Sequence, residues 1–146
     1  MEGTLHQGFA LLQSLEALFQ RAVFMMFLVS EVHPFSDGNG RVARLMMNAE
    51  LSAAHAERII IPTIYRNNYL LALKALSQNG RADALVRTLD YAQKWTASLP
   101  WDEVANTRKM LETCNAFTDP HTADEQGLRL KMPSADALSP NGNPHR

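Results

Sequence analysis

The sequence predicts an all-α fold, a helical bundle with its chemistry in a loop between two central helices. Three observations carry that prediction. Apolar residues recur at three- and four-residue steps from Phe9 to Ser98, one stretch is apolar on almost every side, and the breaks carry helix-stopping residues.

From Phe9 to Val29, Leu12, Leu15, Phe19, Ala22, Val23 and Met26 keep helical spacing with polar Gln13, Glu16, Gln20 and Arg21 between them, which predicts one helix. Between Val23 and Val29 the apolar surface widens to nearly the whole circumference, so this part is expected to be surrounded by other helices. After a break at His33 to Gly40, Val42, Leu45, Met46, Ala49 and Ala53 resume the helical recurrence, predicting a second helix to about Ala54. Met25, Met26, Met46 and Met47 on these two helices are expected to fill the core.

Ile59 to Ile61 is a β-branched triplet closed by Pro62, the pattern of a short extended connection. Residues 67–78 and 81–98 read as two further helices separated at Asn79-Gly80, a helix-stop pair. Leu99-Pro100 ends that run. Trp95 and Trp101 beside it are expected to cap the core, and residues 102–117 to form one more helix. From Thr118 onward, four of the seven prolines gather with Ser, Asn, Asp and Gly, and few apolar residues remain to offset the entropy of ordering. The expected organisation is a core over 8–117 and a disordered tail over 118–146.

A chain of 146 residues, 46% hydrophobic, has room for one domain with an ordinary core. Fourteen basic against fifteen acidic side chains give a net charge of −1, which offers no broad positive field for a nucleic-acid backbone. Cys114, the single cysteine, has no partner for an internal disulfide and no zinc-site spacing around it, so a semi-buried thiol is expected. His55, His121 and His145 have no mutual metal-site spacing. Met1 to Gln7 lacks the pattern of a secretory leader, and the longest apolar run, Ala22 to Val29, is far shorter than the roughly 20 residues of a membrane span. A cytoplasmic protein with neither nucleic acid nor membrane as partner is expected.

The chemistry concentrates in His33-Pro34-Phe35-Ser36-Asp37-Gly38-Asn39-Gly40-Arg41-Val42-Ala43-Arg44. Gly38, Asn39 and Gly40 tolerate left-handed backbone angles immediately ahead of a helix, so successive N–H groups can point into one cavity. The helix N-terminus adds unpaired amides and the positive end of its dipole, which suits a phosphate or pyrophosphate. Arg41 and Arg44, three apart, project from one face and can bracket phosphate oxygens. Asp37 beside phosphates implies a cation between them, and one carboxylate with phosphate oxygens and waters is the usual Mg²⁺ arrangement. His33 is the one group here suited to accept a proton from a hydroxyl near neutral pH. Pro34 pins the chain after it, and Phe35 is expected to bury its ring and anchor the loop.

This segment resembles the signature of the Fic family, H-P-F-x-[D/E]-G-N-G-R-x-x-R, at every defined position. The resemblance runs from about Leu11 to Leu99. It implies a Fic-type helical bundle that transfers AMP from Mg·ATP to a Ser, Thr or Tyr hydroxyl of a target protein, with pyrophosphate leaving. By that likeness His33 deprotonates the hydroxyl, Asp37 holds Mg²⁺, Gly38 to Gly40 form the anion hole, and Arg41 with Arg44 grips the β- and γ-phosphates. A sister branch that phosphorylates its targets has lysine where Gly40 stands, so the resemblance favours adenylylation. Arg66 and Tyr69 fall where similar proteins place groups near the adenine. The residues before His33 read as helix, so the β-hairpin flap of similar proteins is not expected, and no full copy of their inhibitory Ser/Thr-x-x-x-Glu-Gly/Asn motif is found, Glu2-Gly3 matching only its end. The resemblance therefore also admits a truncated form that binds nucleotide without modifying a target, or a toxin whose partner antitoxin supplies the inhibitory glutamate.

Overall fold

The computed structural model describes residues 2–134, and among these every regular element is helical. In chain order they are α1 (Glu2–Ser14), α2 (Leu18–Val32), α3 (Asn39–Ala53), a 3₁₀ turn (Thr63–Tyr65), α4 (Arg66–Asn79), α5 (Asp83–Ala97), α6 (Val104–Thr113) and α7 (Pro120–Gln126). The all-α expectation is met.

α2 packs most extensively against α3, and α4 against α5. The main core runs through α2, α3, α4 and α5, where Met26, Met47, Leu85 and Leu89 have no exposed surface. Each such side chain contributes about 1.5–3 kcal/mol of transfer free energy. Met25 is buried with them and Met46 packs against their edge, so the methionines do fill the core. On α1, a Cβ at Gly8 would run into the Leu28 side chain, so glycine permits the close approach of α1 to α2.

The single helix expected over Phe9–Val29 is two helices. The chain breaks at Leu15 to Ala17, and Ala17 is extended at φ −73°, ψ 121°. The cause is tertiary. Arg21 Nη1 donates to the Leu12 and Leu15 carbonyls at 3.3 and 3.4 Å, satisfying acceptors that the end of α1 leaves open. Its Nε and Nη2 each reach Glu50 Oε2 on α3 at 3.2 Å. One guanidinium thus ties the end of α1 to α3.

Residues 59–62 form no regular element, and Pro62 is extended at φ −68°, ψ 158°, in keeping with the short connection that the β-branched run and Pro62 predict. The Asn48 side chain clasps this segment, accepting from Ile59 N at 2.8 Å and donating to Ile59 O at 2.9 Å. Thr96 Oγ1 on α5 accepts from Ile60 N at 3.1 Å. The segment is held from two sides and delivers the start of α4 to the loop between α2 and α3.

A second core gathers Trp95, Leu99, Met110, Cys114 and Ala116. Cys114 is fully buried rather than semi-buried, and burial pushes its thiol above the ordinary range. Trp95 is fully enclosed, whereas Trp101 lies half-exposed, tethered by its Nε1 donating to Thr96 O at 2.9 Å.

The chain differs from the sequence expectation after Thr118. Asp119 caps α7 by accepting from His121 N and Thr122 N, with Pro120 at the first helical position and Gly127 ending the helix at φ 65°. The following residues are fixed by partners elsewhere. Tyr91 OH donates to Leu130 O at 3.3 Å, Trp95 Nε1 to Lys131 O at 3.1 Å, Asn115 Nδ2 to Arg129 O at 2.9 Å, and Lys131 N to Cys114 O at 3.1 Å. Backbone bonding to distant side chains supplies the order that a count of apolar residues does not register. Residues 135–146 of the expected tail lie outside the described residues.

Candidate active site

The loop from His33 to Gly38 joins the two central helices. Pro34 disfavours a right-handed helical conformation at His33, and α2 stops there. His33 takes φ 48°, ψ 58°, with its N–H still donating to Val29 O at 3.2 Å. A left-handed non-glycine residue costs about 1 kcal/mol or more, so something must hold the turn. Asn39 does: its Oδ1 accepts from Phe35 N at 3.0 Å and its Nδ2 donates to Phe35 O at 2.7 Å. Asn39 is itself buried.

This clamp corrects two expectations. Phe35 does not anchor the loop with its ring, which is 53% exposed; it anchors through its backbone, held by Asn39. Of the three residues expected to take left-handed angles ahead of α3, only Gly38 does so, at φ 80°, while Asn39 and Gly40 open the helix itself. Gly38 caps α3 without a side chain, and its carbonyl accepts from Arg41 N and Val42 N. The Asn39 and Gly40 N–H groups stand at the helix start, where no intrahelical acceptor exists. The signal for the clamp is an asparagine four residues after the loop's first turn, but only the folded backbone shows where its amide points.

His33, Asp37, Gly38, Asn39, Gly40, Arg41, Arg44, Arg66 and Tyr69 all line one cleft of about 550 Å³, together with Ser36, Ile61, Thr63 and Leu70. Its size falls in the range of small-molecule sites, about 300–1,000 Å³. Three arginines against one carboxylate make it cationic in a chain of net charge −1. A smaller recess of about 330 Å³ shares His33, Gly40, Arg44, Tyr69 and Leu70 with it and continues between α2 and α4 to Lys74 and Ser77.

Asp37 and Arg41 pair with each other, Arg41 Nη2 lying 3.3 Å from Asp37 Oδ2, with 91% and 76% of their side chains exposed. A pair this open is worth well under about 1 kcal/mol, so both remain available to a ligand. No group of three potential metal-ligating side chains occurs among the described residues. An ion at Asp37 would therefore draw its other oxygens from the molecule bound with it, which fits Mg²⁺ carried by phosphates. Arg44 is half-buried, and Tyr69 is 2% exposed with its hydroxyl donating to Met26 Sδ at 3.4 Å. Burial pushes the Tyr69 phenol above its ordinary range, while neighbouring Arg44 opposes the shift. With so little exposed surface, the ring has no open face for a base to stack on.

A helix N-terminus, three arginines and an exposed histidine meet around one cleft on an all-helical fold, an arrangement suited to phosphate. Residues 2–51, which include the whole His33–Arg44 segment, match the model of the Fic/DOC family. Among curated proteins, the chain is 36% identical over 86 residues to the protein adenylyltransferase Fic of Drosophila yakuba, covering 54% of this chain and 17% of that protein. The proteins of the same name from Drosophila persimilis and Drosophila melanogaster are each 35% identical over 86 residues, and this chain covers 17% and 18% of them. The chain thus spans under a fifth of the length of these relatives. No solved structure matches it. Among the described residues, no helix is long and apolar enough to cross a membrane.

Proposed function

We propose that this chain transfers AMP from Mg·ATP to a hydroxyl side chain of a protein target. The observation that carries the reading is the convergence of His33, the start of α3 and three arginines on one cleft. The name of the curated relatives supports the reaction type.

In this reading the Asn39 and Gly40 amides and the positive end of α3 receive phosphate oxygens. Arg41 and Arg44 hold the β- and γ-phosphates, which leave together as pyrophosphate. His33 takes the proton from the target hydroxyl as its oxygen forms a bond to the α-phosphorus and the bond to the leaving β-phosphate breaks. Asp37 would hold Mg²⁺, which when bound offsets phosphate charge. Arg66, exposed at the start of α4, faces the same cleft and is available to the rest of the nucleotide. Tyr69 contributes from beneath, as part of the wall, rather than by stacking.

The test is label transfer. ATP labelled at the α-phosphate should mark protein in the presence of the chain and Mg²⁺, ATP labelled at the γ-phosphate should not, and His33→Ala should abolish the mark. Equal marking from both labels points to phosphoryl transfer and overturns the proposal, and so does a mark that survives His33→Ala.

A further inference from the structure

We infer that a second cavity, lined by Trp101 and Ile60, anchors an apolar side chain of the protein target about five residues away from the hydroxyl that receives AMP. The inference deepens the AMP-transfer reading and rests on it for the fate of that hydroxyl.

The cavity measures about 500 Å³ against about 550 Å³ for the cleft, and the two share no residue. Its apolar surface comes from Trp101, half-exposed, and from Ile60, also exposed. Both are held by one residue of α5. Trp101 Nε1 donates to Thr96 O at 2.9 Å, and Thr96 Oγ1 accepts from Ile60 N at 3.1 Å. An indole fixed by its N–H, with much of its ring open, offers contact area that a ligand need not first order. Arg58 and Glu57 line the same cavity beside His55. Their opposite charges offset each other, so the cavity selects neither an acidic nor a basic group. An aromatic or large aliphatic side chain matches what remains.

Cleft and cavity are the two ends of one seam. Arg41, Leu45, Asn48 and Ser52 follow at four-, three- and four-residue steps on α3 and so share a face. Arg41 lines the cleft and Ser52 the cavity, while Asn48 between them clasps Ile59. The connection after α3 repeats that order, with Ile61 on the cleft and Ile60 on the cavity. Arg41 and Ser52 are eleven residues apart, about 16 Å at 1.5 Å per residue. An extended peptide covers about 3.3 Å per residue, so about five residues bridge the two ends. Leu45 lies on this face, 68% exposed, and lines neither site. Only an occupant that spans both ends gives it a partner, which makes the occupant a segment of the target rather than a free small molecule.

Peptides of glycine and alanine test this, each with one Ser, Thr or Tyr and one Phe placed two, five or eight residues to either side, with Phe-free peptides alongside. In the nitrogen–proton NMR spectrum, the Trp101 indole signal, identified by its loss in Trp101→Phe, should move with the Phe peptides and stay with the Phe-free Ser and Thr peptides. With α-labelled ATP, the five-residue spacing should take up about tenfold more label than the others, as burial of one apolar side chain allows. Trp101→Ala should remove that preference, and so should Leu45→Glu, a change on the open surface that spares the core. Mg·ATP affinity should match wild type in both. An unmoved Trp101 signal overturns the inference whatever the label shows, and so does label that ignores the spacing. A moved signal with label on no peptide upholds the apolar anchor and counts against the AMP-transfer reading instead.

Discussion

Replacing Asn39 by alanine tests how the loop from His33 to Gly38 is held. The side chain makes two hydrogen bonds to the Phe35 backbone, 3.0 Å at Oδ1 and 2.7 Å at Nδ2, and no other described side chain bonds those two Phe35 groups. At roughly 0.5–1.5 kcal/mol net for each bond, their loss costs the loop about 2 kcal/mol. That corresponds to about a thirtyfold shift in the equilibrium between the closed and open loop. The helix itself should not suffer, because alanine is a better helix former than asparagine at the start of α3. The assay is native-state amide exchange: the Phe35 amide should exchange about thirtyfold faster, while amides in the middle of α2 and α3 keep their rates. The proposed AMP transfer should fall in parallel, because His33 sits in a left-handed conformation that the clamp holds in place. Asn39→Asp, which keeps the acceptor and loses the donor, should fall between the two. If the Phe35 amide exchanges at its wild-type rate in Asn39→Ala, the clamp argument is refuted and Asn39 acts only through the ligand.

Three further predictions concern the scaffold. Gly38→Ala should cost about 1–2 kcal/mol, because φ 80° is strained for any L side chain, and a lower denaturant midpoint with unchanged slope would show it. Arg21→Met strips four hydrogen bonds from the junction of α1, α2 and α3 and leaves Glu50 part-buried and unpaired, so a loss of about 2 kcal/mol is expected, and less in the double variant with Glu50→Gln. Stability should decline at alkaline pH. Burial raises Tyr65 and Tyr69 above the ordinary 10.0 and Cys114 above 9.0, so the folded state holds these protons more tightly. Their contribution is complete below about pH 9 and is lost as pH climbs through the raised values. Denaturation measured from pH 8 to 11 should show this fall, and Tyr69→Phe should soften it.

Most helices were legible because their spacing is local. The widening of the apolar surface at Val23 to Val29 marked the central helix, and Asn79-Gly80 marked a real stop, with Gly80 at φ 65°. The break at Leu15 to Ala17 was not legible, since no glycine or proline signals it and its cause is a guanidinium reaching Glu50, far along the chain. The order after Thr118 escaped for a similar reason: its partners, Tyr91 and Trp95, lie on α5. At the site, residue types at fixed spacing pointed to the cleft, and the fold gathers all of them on it. What the sequence hid was the division of labour. Asn39 turns its amide to Phe35, and Tyr69 turns its ring into the core.

The central claim is that the cleft between α2, α3 and α4 holds a nucleotide's phosphates beside His33. Titrating Mg·ATP into the protein by calorimetry tests it most directly, with Arg44→Met alongside. The account predicts one nucleotide per chain and at least tenfold weaker binding in the variant, since a charge-assisted contact is worth about 1.5–3 kcal/mol. Absence of binding by folded wild-type protein, or equal binding by the variant, would contradict it.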